Sequence, residues 1–380
     1  MTFIALSIKR LHRLARYRAP RKRFVRLFRS KTPPLLGLDI SSTAVKLIEL
    51  GGERGQLRLK AYAAAGLPPE AVIDKQVTDP DAVGAALRQA WDRAETRTRN
   101  VALAVGGSTV ITKTIPMPEG LGERELEQQI RVEADQYIPF PLDDVGMDFE
   151  VLGPHPAERH MNEVFIAACR NDTIEGRVAA VEIAGLKCRL VDLESRAVEN
   201  ACGLIAEQIA TGEDADSAVA FIDVGATTTT LNIMHRGKIT YSREQAFGGK
   251  LLTEEIMHRY ELSYEEAGKA KRVGGLPDDY ADTVLQPFVT DTVHQIQRGL
   301  QFFFSSQGSI DRIRQIILAG GCASISGIDR AIESATEIPT RIADPFGRMS
   351  VELTTQLKRL QLDAPSLMTA CGLALRRFDA

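Results

Sequence analysis

Two aspartates, Asp39 and Asp223, each close an apolar run and open a turn of small and hydroxyl-bearing residues. The first stretch reads Leu36-Gly-Leu-Asp39-Ile-Ser41-Ser42-Thr43-Ala-Val-Lys46-Leu-Ile-Glu-Leu50. The second reads Ala220-Phe-Ile-Asp223-Val-Gly225-Ala-Thr227-Thr228-Thr-Thr-Leu-Asn-Ile233. Small turn residues let backbone N–H groups face an anion, and the Ser and Thr hydroxyls add donors. A strand-end carboxylate suits Mg²⁺, which takes one or two carboxylates and keeps most of its waters. The chemistry offered is phosphate binding with Mg²⁺. One copy alone reads better as an ordinary hairpin; two matched copies, one in each half of the chain, reverse that and favour the phosphate site.

These residues need strands to hold them. Each aspartate stretch is followed by a glycine-containing turn (Gly51-Gly52-Glu53-Arg54-Gly55; His235-Arg236-Gly237-Lys238) and a third β-prone run. The pattern predicts strand–turn–strand–turn–strand, used twice. Phe247-Gly248-Gly249-Lys250 is a glycine-rich turn opening a helix, and Ser263-x-x-Glu266 is a capping-box signature for the next. The run Gln315–Ala319 predicts a buried strand ending in Gly320-Gly321, where paired glycines permit close approach to a flat ligand such as adenine.

The remaining chain frames these motifs. Asp79-Pro80 predicts a helix start, with Val83, Leu87 and Trp91 on its packed face. Val110–Gly185 reads as an insertion of two or three strands and two helices, a small α/β module of its own. Its first helix carries Leu126, Ile130, Ala134 and Tyr137 on one face and stops at Ile138-Pro139-Phe140-Pro141. Cys188–Cys202 reads as a strand running into a helix, and the polar Thr211–Ser217 stretch as a joint. Phe302, Phe303 and Phe304, late in a long amphipathic helix from about Pro287, are expected to pack. The final Met368–Ala380 segment reads as a helix that packs in the core.

The 380-residue length suits two or more subdomains, and 44% hydrophobic with 26% charged residues indicates a globular chain. Cys169, Cys188, Cys202, Cys322 and Cys371 have neither paired nor metal-like spacing, so reduced thiols without disulfide or zinc are expected. The net charge of −3 conceals an uneven distribution. Residues 1–34 hold eleven Lys and Arg and no Asp or Glu, leaving 36 basic against 50 acidic residues in the body. An acidic body excludes broad nucleic-acid binding. No apolar run is long enough to span a bilayer.

The basic segment places Ile4, Ile8, Leu11 and Leu14 at helical spacing among arginines and lysines. Several readings stay open: a membrane-surface contact, a composition like that of a transit peptide, a disordered arm, or an artefact of a start placed upstream of the true one near Val25. Thr32-Pro33-Pro34 separates it from the body.

The two strand–Asp–turn motifs and the later Gly-Gly strand end resemble the actin-like ATPase superfamily over residues 35–375. Within it, three stretches resemble the PilM family of type IV pilus assembly proteins. They are Pro34–Leu47, Glu127-Gln-Gln-Ile130-x-x-Glu133-Ala134-x-x-Tyr137-Ile138-Pro139-Phe140-Pro141, and Phe247-Gly248-Gly249 with Leu252-Thr253-Glu254. The resemblance implies an α/β, actin-like fold of two lobes around a nucleotide cleft. Its subdomains would be 1A (35–109 and 186–215), 1C (110–185), 2A (216–250 and 306–380) and 2B (251–305), after the basic extension 1–34.

The resemblance also implies ATP with Mg²⁺ between the halves. Asp39, Ser41, Ser42, Thr43 and Lys46 match the first phosphate element, and Asp223, Gly225, Thr227 and Thr228 the second. Gly248, Gly249, Lys271, Gly320 and Gly321 complete the cofactor-binding set. Asp39 and Asp223 would hold Mg²⁺ through water. Glu194 stands where related ATPases orient the attacking water. Ser41 replaces a glycine of many relatives, and Gly268 stands where many carry a ribose-binding Glu beside Lys271. With no arginine finger or Walker lysine evident, ATP binding with weak or absent hydrolysis is expected.

The implied role is a cytoplasmic adaptor, peripheral to the inner-membrane face. It would bind the cytoplasmic N-terminal tail of PilN in a groove of 1A and 1C and link the pilus motor ATPases to the alignment complex. Two alternatives are an FtsA-like membrane-tethered division filament, which predicts a C-terminal amphipathic tail, and a small-molecule kinase of the same fold, which predicts a polar substrate pocket.

Overall fold

Leu36, Leu38 and Ile40 alternate with Gly37 and Asp39, so the first strand buries one face and turns its aspartate to the other. In the computed structural model, which describes residues 33–53, 55–205, 218–306, 310, 312–352 and 357–379, this strand is β1 (Leu36–Ile40). Residues 1–32 of the basic segment and the Thr211–Ser217 joint lie outside the described residues.

The chain divides into two units. One comprises residues up to Ala197 together with Leu373–Ala380; the other is Val198–Gly372. In the first, β1 pairs antiparallel with β2 (Ala44–Glu53), which pairs antiparallel with β3 (Gln56–Gly66). On its other side β1 runs parallel to β6 (Asn100–Val105), and β6 parallel to β10 (Lys187–Leu193). Between lie a short hairpin, β4 (Val72–Ile73) and β5 (Gln76–Val77), and helix α1 (Pro80–Arg93). Asp79 caps α1 by accepting from Ala82 N–H at 2.9 Å. Val83, Leu87 and Ala90 bury its inner face. Trp91 is partly buried against the same core, as expected, and its indole N–H donates to Thr98 O at 2.8 Å.

The insertion supplies β7 (Val110–Pro118), α2 (Glu123–Ala134), β8 (Val145–Pro154), β9 (Met161–Arg170) and α3 (Asn171–Ile183). The strands form an antiparallel sheet in the order β7-β9-β8. Leu126 and Ile130 of α2 pack on this sheet with Ile115, Met117, Val164 and Ile166. Tyr137 does not share that face. The helix ends at Ala134, and Ile138 folds back to it through an N–H bond to Ala134 O of 2.9 Å, leaving Tyr137 exposed. The second helix, α3, buries Ile174, Ala180 and Val181 in the core of the larger sheet rather than in the small module. Helix α4 (Glu194–Cys202) follows β10 directly.

The second unit repeats the first sheet's wiring. β11 (Ala218–Val224), β12 (Thr229–His235) and β13 (Lys238–Gln245) form an antiparallel meander, and β14 (Ile313–Ala319) and β15 (Thr340–Ile342) continue parallel from β11. The order β13-β12-β11-β14-β15 matches β3-β2-β1-β6-β10. Helices α5 (Gly249–Tyr260), α6 (Tyr264–Val273) and α7 (Gln286–Ser306) accompany this sheet. The Ser263–Glu266 capping box forms as expected, with both reciprocal bonds present. Of Phe302, Phe303 and Phe304 on α7, only Phe303 is buried, edge-on to Tyr241; Phe302 and Phe304 are exposed. Three consecutive helical positions span most of a turn, so they cannot all face one core. Met368, Ala370, Cys371, Leu373 and Ala374 are buried, so the final helix packs in the core. All five cysteines are free thiols. Among the described residues, no helix is long and apolar enough to cross a membrane.

Candidate functional site

In the first unit, the three parallel strands end at a common edge, the position where open α/β sheets receive ligands. That edge carries Asp39, Gly106 and Glu194. Asp39 stands opposite Lys46 in the β1–β2 register, and Lys46 Nζ donates to Asp39 Oδ2 at 3.0 Å. The connecting turn is closed by Ser41, whose N–H and hydroxyl both donate to Ala44 O, at 3.0 and 2.8 Å. Ser41 thus spends its side chain on its own turn. Ser42 and Thr43 are half-buried, and Thr43 O accepts from Leu67 N–H at 2.8 Å.

Glu194 begins α4, and its Oε2 accepts from Lys75 Nζ at 2.7 Å. Gly106 makes room for this pair, because a Cβ there would overlap the Glu194 carboxylate. Lys75 occupies the β4–β5 turn with φ +64°. Its backbone is fixed from behind by Arg177 of α3, a fully buried side chain. Arg177 Nη2 donates to Lys75 O at 2.7 Å and Nη1 to Ile40 O at 3.2 Å. One buried guanidinium therefore ties the end of the Asp39 strand to the turn bearing Lys75. Burial pushes the Glu194 carboxyl up, but Lys75, Arg177 and Lys46 outweigh it and hold the group below the usual carboxylate range. Glu194 is ionised at neutral pH.

In the second unit, the turn after β11 is closed by Gly225 N–H to Thr228 O at 3.0 Å. Thr227 is exposed and Thr228 half-buried, with their hydroxyls 3.5 Å apart. The α5 start docks on this turn: Gly249 N–H donates to Gly225 O at 3.0 Å and Lys250 N–H to Ala226 O at 2.7 Å. A Cβ on Gly248 would lie 2.6 Å from the Gly225 and Ala226 carbonyl oxygens, so only glycine permits this docking. Gly320 has φ +89°, and a Cβ there would collide with Val224 O and stand 2.5 Å from Asp223 Oδ1. Asp223 and Gly320 are thus in direct contact at the ends of neighbouring parallel strands. Gly321 is exposed, with open space where a side chain would be.

Lys271 joins the same group from α6. Its Nζ donates to Gly249 O at 3.0 Å and to Thr253 Oγ1 at 2.6 Å. Burial lowers its pKa, an effect that Cys322 opposes and Arg272 reinforces. Cys322 donates through Sγ to Gly225 O at 3.5 Å, and burial pushes its thiol up to about 11. Asp223, Gly225, Thr227, Thr228, Gly248, Gly249, Lys271 and Gly320 therefore converge on one turn, with Gly321 beside them.

Each unit supplies one aspartate at a strand end, and among the described residues no three His, Cys, Asp or Glu side chains group to cage a metal. Within either unit, a single strand-end carboxylate suits Mg²⁺ held mainly by water and phosphate rather than by a protein cage. Lys75 and Arg177 lie outside the motifs that the sequence displays. A lysine in a polar turn carries no signal. Arg177, three residues after the core residue Ile174, does: an arginine on the buried face of a helix needs partners.

A family model described as "Type IV pilus assembly protein PilM" matches residues 37–378. A chain of the solved PilM–PilN type IV pilus biogenesis complex is 27% identical, with a TM-score of 0.74, covering 91% of this chain and 99% of that one. The cell division protein FtsA of Bacillus subtilis is 22% identical over 353 residues, covering 82% of this chain and 78% of FtsA. The ethanolamine utilization protein EutJ of Carboxydothermus hydrogenoformans shares the fold at 16% identity and a TM-score of 0.54, with 90% and 89% covered.

Proposed function

The chain belongs to the PilM family of type IV pilus assembly proteins and has the actin-like ATPase fold, and on that premise we propose that it is an ATP-binding adaptor of pilus assembly. Its partner is the cytoplasmic N-terminal tail of PilN. The observation that carries this reading is the match to the PilM–PilN complex, which runs along nearly the whole of both chains. We assign the tail to the surface of residues 35–109 and 186–215 with the insertion 110–185. The protein then works at the cytoplasmic face of the inner membrane and links the pilus motor ATPases to the alignment complex. Membrane contact through residues 1–34 rests on their charge alone. The FtsA-like filament is the second reading, favoured only by the weaker FtsA match.

Nucleotide binding is supported by the duplicated strand–Asp–turn arrangement and by glycines that keep the backbone close at Gly248 and Gly320. Asp39 and Asp223 are the carboxylates that would hold Mg²⁺ through water; bound there, the ion would offset phosphate charge. Glu194 is the candidate to orient water, but it is ion-paired to Lys75, which favours slow or absent hydrolysis. Nucleotide serves to stabilise the adaptor.

A synthetic PilN N-terminal peptide titrated into the full chain, with and without MgATP, tests the partner. Saturable binding is the expected result. No binding under either condition would remove the adaptor reading.

A further inference from the structure

Resting on the nucleotide reading above, we infer that Lys75 reads the terminal phosphate of a nucleoside triphosphate, and that Glu194 holds the lysine in place until that phosphate arrives. The first unit's strand-end edge is a cluster of charge. It carries three cations, Lys46, Lys75 and Arg177, against two carboxylates, Asp39 and Glu194. Arg177 is buried and committed to two backbone carbonyls, so it cannot move to a ligand. Lys46 is committed to Asp39 across the hairpin.

Lys75 is placed differently. Its side chain is 20% exposed and that of Glu194 25%, so the pair lies at the solvent edge. A long flexible ammonium can change acceptors with little rearrangement. Its backbone cannot drift, because Arg177 fixes the Lys75 carbonyl. The glycines beneath let the pair lie close to the backbone: a Cβ on Gly106 would overlap the Glu194 carboxylate, and one on Gly107 would stand 3.0 Å from Lys75 Cδ. A phosphoryl group carries more charge than one carboxylate and offers three acceptor oxygens. It can therefore take the ammonium from Glu194. The exchange also releases the Glu194 carboxylate, whose nearest cation has been removed. A diphosphate lacks the group that makes this exchange, so Lys75 gives preference for triphosphate over diphosphate.

Calorimetric titration of the full chain with MgATP and with MgADP tests this, using wild type, Lys75→Gln, Lys75→Arg and Glu194→Gln. One charge-assisted contact predicts that Lys75→Gln lowers the ratio of ATP to ADP affinity by roughly tenfold or more. Lys75→Arg should retain most of the preference. Glu194→Gln should raise it, because the ammonium no longer has a competing carboxylate. An unchanged ratio in Lys75→Gln, or equal weakening of both nucleotides, would overturn the assignment while leaving nucleotide binding intact. Loss of preference in Lys75→Arg as complete as in Lys75→Gln would mark a packing effect and overturn it equally. A wild-type chain that binds neither nucleotide removes the nucleotide reading itself, and this inference with it.

Discussion

Lys46 and Asp39 stand directly opposite each other across the β1–β2 hairpin, and their side chains meet at 3.0 Å on the face turned away from the main core. The same register sets Ile40 against Val45 in that core. Hydrophobic alternation therefore fixes where the charges go: a slip of one residue would send Asp39 inward. Lys46→Met should cost on the order of 1 kcal/mol, since both side chains keep some solvent contact. Asp39→Asn should fold and lose most of its thermal stabilisation by MgATP, because a ligand that binds only the native state raises the melting temperature. A full MgATP shift in Asp39→Asn would take Asp39 out of the site.

Gly320 and Gly321 are adjacent in sequence and should respond oppositely to alanine. Gly320 has φ +89°, and a Cβ there would meet Val224 O and Asp223 Oδ1. Gly320→Ala should destabilise the chain by about 2 kcal/mol or more and push Asp223 from its place. Gly321→Ala meets nothing within 4 Å and should stay within about 0.5 kcal/mol of wild type. Urea midpoints of the two variants provide the comparison, and equal midpoints would contradict the geometry.

The sequence made the duplicated strands legible because a buried strand ending in Asp and small residues has few other uses, and because it occurs twice. It showed the capping box and the α1 start through local chemistry that needs no tertiary partner. It did not separate Phe303 from its neighbours, since consecutive aromatics leave the facing position undetermined until the helix is docked. Tyr137 departs from the helical periodicity because the regular helix ends at Ala134 and the last turn tightens, the Tyr137 N–H bonding to Ala134 O at 3.0 Å. Nor did it join Lys75 to Glu194, which lie 119 residues apart. Local patterns report periodicity and turn chemistry; pairing across such a span is set by the order of strands in the sheet.

Asp192 links the stability of the first unit to pH. It lies on β10, is fully buried, and pairs with Arg376 near the chain's end, Arg376 Nε to Asp192 Oδ2 at 3.1 Å. Burial pushes its carboxyl from 3.8 up to about 6, against the pull of Arg376, the Leu193 N–H and Arg196, while Asp379 pushes the same way as burial. The folded state thus keeps a proton that the unfolded chain has released. The stability this group contributes is full below its unfolded pKa and is lost as pH rises toward about 6. Removing the cation makes ionisation costlier, so Arg376→Met should show a larger deficit from wild type at about pH 8 than at about pH 5. Asp192→Asn should flatten the change in stability between those values. Urea midpoints measured at both pH values decide it: an Arg376→Met deficit independent of pH would mean that Asp192 does not titrate in that window.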